Sequence, residues 1–166
     1  MESLYEEYRQ RAEQNFITLN LTEAIDIYTE AIGLWPNDVD LYWQRGHLQY
    51  FLGNYKEALD DFTKITEYLP TCVDGYQCRI MVNHTLKNYS GMLTDHNEII
   101  KLMPRKVESW RSRGETKFEA GDFIGALADF DAALKLNPGD MRTHQLRIDT
   151  KRSVLYPNTS YIATAS

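Results

Sequence analysis

The chain has few cysteines, few prolines and no run of apolar residues long enough to cross a bilayer. Its two cysteines, Cys72 and Cys78, stand six residues apart, which on a helix is a rise of about 9 Å, beyond the ~7 Å that a disulfide spans. No intramolecular bridge is expected. A surplus of positive charge is missing too: 18 Lys and Arg against 24 Asp and Glu leave a formal charge of -6. That is the wrong sign for coating a nucleic-acid backbone or an anionic lipid surface. The N-terminal stretch MESLYEEYRQRAEQNF is acidic where a secretory leader is basic and then apolar, so a soluble, cytoplasmic protein is expected. Without such a leader the sequons at Asn20, Asn83, Asn88 and Asn158 carry no expectation of glycans. Also absent are His-Glu-x-x-His, Gly-x-Ser-x-Gly, a glycine-rich phosphate loop and paired-cysteine zinc motifs. No enzymatic activity, cofactor or metal is expected.

What is present is a period. Four of the five prolines are Pro36, Pro70, Pro104 and Pro138, each 34 residues after the last. On that ruler the fourth position of every unit is aromatic: Tyr8, Tyr42, Tyr76 and Trp110. The eighth is Ala12, Gly46, Ile80 and Gly114, the twentieth Ala24, Ala58, Met92 and Ala126, and the twenty-fourth Tyr28, Phe62, His96 and Phe130. The sixteenth is Asn20, Asn54, Asn88 or Asp122, all good N-cap residues. Glu23 and Glu57 follow three residues after the first two caps, as in a capping box, and Thr71-x-x-Asp74 has the same form. Gly53 and Gly121 precede their caps, where a helix end favours a left-handed residue. Each unit therefore reads helix, tight turn, helix, proline stop.

This pattern resembles the tetratricopeptide repeat family. The resemblance covers residues 5 to 138 and implies an all-α, right-handed superhelical solenoid. The expected organisation is a single domain over 1–156, with repeats at about 5–38, 39–72, 73–106 and 107–140, a capping helix at 141–156, and a flexible tail at 157–166. Met141, His144, Ile148 and Leu155 are expected to form the apolar side of the capping helix. Unit three departs most from the pattern. Ile80 and Met92 at its close-contact positions predict a helix pair pushed apart.

In this family the first helices line a concave groove, and the resemblance implies that positions two, five, nine, twelve and thirteen face it. The middle of that surface is Trp43, His47, Tyr50 and Phe51, followed by Gln77, Met81 and His84, with Arg111 in the fourth unit. Trp43 is the expected anchor, because tryptophan is a frequent binding hot spot. Position two is acidic throughout, as Glu6, Asp40, Asp74 and Glu108. The helix dipole alone favours acids there, yet a shared edge of them also suits a basic partner segment. The Lys/Asn clamp with which some members hold a chaperone carboxylate is missing, since Arg9, Glu13, Gln44, Asp74 and Cys78 occupy its places. His47, Cys78 and His84 are the one trio that could approach a metal ion, a weak grouping of three.

The function this predicts is a non-catalytic adaptor or scaffold that binds a peptide segment of a partner protein in the groove. The alternative is a structural subunit of a larger or self-associating assembly that uses convex or terminal faces. A monomer or weak self-association fits either.

Overall fold

The computed structural model describes residues 2–156, so the expected tail lies outside the described residues. Among the described residues there are nine α-helices and no strand: α1 (Glu2–Ile17), α2 (Leu21–Leu34), α3 (Val39–Phe51), α4 (Tyr55–Tyr68), α5 (Val73–Thr85), α6 (Tyr89–Leu102), α7 (Val107–Glu119), α8 (Phe123–Leu136) and α9 (Met141–Leu155). The chain forms two compact units that divide between Lys87 and Asn88. This division falls inside the third repeat, the one that carries Ile80 and Met92. The first unit holds α1 to α5 and the second α6 to α9.

The small residues of the ruler are there because an aromatic ring leaves no room. A Cβ at Gly46 would lie 2.9 Å from Phe62 Cε1, and one at Gly114 2.6 Å from Phe130 Cε1. Both rings are fully buried, so the hairpins α3–α4 and α7–α8 each close on their own aromatic residue; Ala12 and Ala24 of the first hairpin are fully buried too. Tyr5 and Tyr8 of α1 meet Trp35 edge-on at 5.2 and 5.9 Å.

The proline and fourth-position rows prove to be one device. Tyr42 Oη donates to the Pro36 carbonyl at 2.8 Å and Tyr76 Oη to that of Pro70 at 3.0 Å. In the second unit Trp110 Nε1 donates to the Pro104 carbonyl at 2.9 Å, and His144 Nε2 lies 2.8 Å from that of Pro138. The proline stops one repeat, and the next repeat's ring satisfies the carbonyl left exposed there.

Three local expectations need correction. Asn88 and Asp122 do cap, accepting from the backbone of Gly91 and Gly125, but Asn20 and Asn54 make no side-chain cap. Asn54 Nδ2 donates to Gln49 Oε1 at 2.7 Å instead. At the sixteenth position the working caps are those with glycine three residues on, where a Cβ at 125 would crowd Asp122 Oδ2. The Asn-x-x-Glu pattern therefore marked the helix starts without forming the box. Nor does Thr71 cap α5, whose N-cap is Cys72, with no side-chain bond.

The third correction concerns α9. Met141, Ile148 and Leu155 are exposed, and the buried side chains are Thr143 and Thr150. The reason is register: α9 stands as the first helix of a fifth unit. Positions three and ten pack inward in units two to four, as Leu41 and Leu48, Gly75 and Val82, then Ser109 and Thr116. In α9 those positions are the two threonines, their hydroxyls satisfied by Asp140 Oδ2 at 2.6 Å and the Leu146 carbonyl at 2.7 Å. Ile148 holds position eight, which faces a second helix in complete units.

The same ruler carries an unforeseen row of arginines, Arg11, Arg45, Arg79 and Arg113, with Asp61, Asp95 and Asp129 at the twenty-third position. Arg45 holds Asp61 through Nε (2.9 Å) and Nη2 (2.6 Å). Arg113 holds Asp129 through Nε (2.8 Å) and Nη2 (2.6 Å), and Lys117 Nζ joins at 2.9 Å. Each pair ties the two helices of a hairpin together, and a bidentate geometry this buried is the strong form of such a contact.

His96 holds the aromatic position in α6, buried, with Nε2 3.1 Å from Thr116 Oγ1. Burial pushes its pKa down from 6.5 to about 4; Arg113 adds to this and Asp129 opposes it. The folded chain thus keeps the imidazole neutral while the unfolded chain protonates it near 6.5, so its contribution is complete above that pH. It is lost as pH falls from about 6.5 to 4, by on the order of 2–3 kcal/mol. Urea unfolding at pH 7.5, 5.5 and 4.5 should show this slope. It should be smaller in His96→Phe, which restores the ring type of Phe62 and Phe130; equal slopes would remove His96 as the cause.

A candidate protein-docking face on the first unit

Trp43, His47 and Tyr50 lie on α3, and Gln77, Cys78, Met81 and His84 on α5, at spacings that put them on one face of each helix. Trp43 is half-buried: its ring sits 6.4 Å from Phe62, edge-on, and 5.5 Å from His47. His47 is itself 5.2 Å from Phe62, so one buried phenylalanine braces both. Tyr50 meets Tyr55 in a tilted ring contact at 5.5 Å and its hydroxyl lies 3.1 Å from Thr85 Oγ1. Met81 packs against the same apolar cluster. Gln77 and His84 are exposed, whereas Phe51, which the sequence placed beside Tyr50, is turned out to solvent.

Burial lowers the His47 pKa, so its ring is predominantly neutral at neutral pH. Its Nε2 stands 3.8 Å from Cys78 Sγ. The Cys78 thiol is pushed up to about 11, by burial first and then by the charges of Asp74 and Cys72. It stays protonated and is therefore a poor nucleophile and metal ligand. Among the described residues no group of three or more His, Cys, Asp and Glu is placed to share a metal ion.

Asp40 and Asp74 are exposed in the first turns of α3 and α5. On α1, Arg9 lies between Glu6 at 3.4 Å and Glu13 at 3.6 Å, which leaves the acids of this face in excess. Arg111 belongs to the second unit. Its guanidinium is engaged by Asp140 at 2.6 Å, both side chains largely buried, so it pins α7 to the start of α9.

Repeated helix hairpins built on a 34-residue ruler, with a solvent-facing row of side chains on their first helices, define an α-helical repeat protein. The family model described as the tetratricopeptide repeat matches residues 39–72, the second unit. The other units keep the register of the matched one, with Pro36, Pro70, Pro104 and Pro138 each 34 residues apart. No curated protein matches the sequence. Solved structures share the fold. The MamA fragment from Desulfovibrio magneticus has a TM-score of 0.69 at 18% identity, over 91% of this chain and 84% of that one. YrrB, described as having an unusual peptide-binding site, gives 0.66 at 21%, over 92% and 78%. The first such domain of RPAP3, bound to the HSP90 peptide SRMEEVD, gives 0.58 at 20%, over 70% and 93%. No helix among the described residues is long and apolar enough to cross a membrane.

Proposed function

We propose that the chain is a non-catalytic interaction module, and that the face of α3 and α5 binds a segment of a partner protein. The observation that carries this reading is Trp43: an indole braced from behind by Phe62, flanked by His47, and still partly open to solvent. A rigid, half-buried aromatic side chain is what an anchor pocket requires, because little entropy is lost when a ligand covers it. Gln77 offers an amide beside it and Met81 an adaptable apolar wall.

Asp40, Asp74, Glu6 and Glu13 favour a basic segment. An acidic peptide end such as that of SRMEEVD, which RPAP3 holds, would meet carboxylates here. The peptide complex of RPAP3 and the peptide-binding site described for YrrB support peptide binding on this fold, while the residues of this face set a different preference.

Trp43→Ala is expected to weaken partner binding by about 2 kcal/mol, roughly thirtyfold, with the helical signal unchanged. The check is mass-spectrometric comparison of proteins captured by wild type and variant, followed by titration of the captured segment. Equal capture by two equally folded baits would remove Trp43 as the anchor.

A further inference from the structure

The turns that join first and second helices differ sharply from repeat to repeat. In unit one the turn holds Phe16, Ile17 and Leu19, and in unit two Phe51 and Leu52; in unit four the matching turn reads Phe118, Glu119, Ala120, Gly121 and Asp122. The first two turns lie at the same end of successive hairpins in one compact unit. Their apolar side chains are bare: Phe16 is 55% exposed, Ile17 71%, Leu19 79% and Phe51 76%.

Leu19 is the most informative of these. It holds φ 60, the left-handed turn position that glycine fills at Gly53 (φ 82) and Gly121 (φ 83) and the polar Lys87 at φ 54. Any side chain with a Cβ strains the backbone there, and at both glycines a Cβ would meet nothing within 4 Å. Leu19 therefore strains the backbone and wets a large apolar side chain, with no packing in the free protein to offset either.

We propose that this edge of the first unit is a self-association surface, on which a second copy of the chain docks its own Phe16, Ile17, Leu19, Phe51 and Leu52. Two features select a second copy as occupant. The stretches Gln14–Thr22 and Leu48–Tyr55 hold no charged residue, so the patch can meet itself without like-charge repulsion, although the chain carries -6 overall. The exposed apolar residues of α9 lack that property, because Met141, Ile148 and Leu155 are interspersed with Arg142, Lys151 and Arg152, which would face their own copies. The area also suffices. The five side chains present on the order of 500 Å² of apolar surface, and with their polar surroundings two copies would bury about 1,200 Å², the lower bound for a specific interface.

The test is sedimentation equilibrium of the whole chain from about 1 to 200 μM, the range in which such an interface self-associates. Wild type is expected to pass from monomer to dimer. Phe51→Glu is expected to stay monomeric with an unchanged thermal melt, since its side chain is solvent-facing. Leu19→Gly is expected to weaken the dimer at least about tenfold and at the same time to raise the melting temperature of the monomer, because strain is relieved and no contact is lost. A wild type at 19.3 kDa throughout the range overturns the proposal, and so does a dimer that both variants retain. Trp43→Ala leaves this equilibrium untouched, so failure of the edge and failure of the α3–α5 face are read separately.

Discussion

Asp129→Ala is expected to lower the stability of the chain by about 3–4 kcal/mol. The aspartate is almost fully buried and receives three charged donors: Arg113 through Nε and Nη2, and Lys117 Nζ. Taking it away leaves two cations whose side chains are only 17% and 20% exposed, held in place with their counter-charge gone. Arg113 cannot simply turn out, since its Nη1 is bound to Asn97 Oδ1 at 2.7 Å and its guanidinium lies 5.1 Å from the Trp110 ring centroid. The stranded charge dominates the loss, so the triple change Asp129→Leu, Arg113→Leu and Lys117→Leu should recover much of it. The exposed pair Arg142–Glu115 is the contrast: Arg142→Ala should change stability by less than about 0.5 kcal/mol. Urea unfolding of the four proteins is the measurement, and a loss under about 1 kcal/mol for Asp129→Ala would mean that solvent reaches the cluster.

The ruler of 34 located the helix hairpins of the described residues because it rests on residues with one dominant physical role: proline stops, helix caps and small residues beneath a ring. It also held the Arg/Asp rows, but charged residues on a helix read as solvated surface until the facing helix is known. Only the fold shows that positions seven and twenty-three meet. Helix α9 failed for the opposite reason. Its apolar side chains read as the inward face, although Thr143 and Thr150 are buried once local acceptors satisfy their hydroxyls, and no second helix among the described residues covers Ile148. The docking face was legible as far as its register. That Trp43 is braced while Phe51 is bare depends on the placement of Phe62 and Tyr55, which sequence spacing does not encode.

Phe62 joins the fold to the proposed function, and its substitution is expected to show both roles. Phe62→Ala should cost about 3–5 kcal/mol, because a fully buried ring is removed from beside Gly46, where no Cβ exists to collapse into the space. Phe62→Leu keeps most of the volume and should cost only about 1–1.5 kcal/mol, leaving a folded protein in which Trp43 and His47 have lost the ring that holds them. Partner binding should then fall several-fold even where the chain is fully folded. The repeat supplies the matched control. Phe130 occupies the same position in unit four, equally buried and equally close to a glycine, Gly114, but its hairpin carries none of the α3–α5 face. Phe130→Leu should therefore match Phe62→Leu in stability and leave binding unchanged. If the two substitutions weaken binding equally, general loosening of the chain accounts for the effect. If only Phe62→Leu does, the buried ring contributes to recognition by fixing the indole above it.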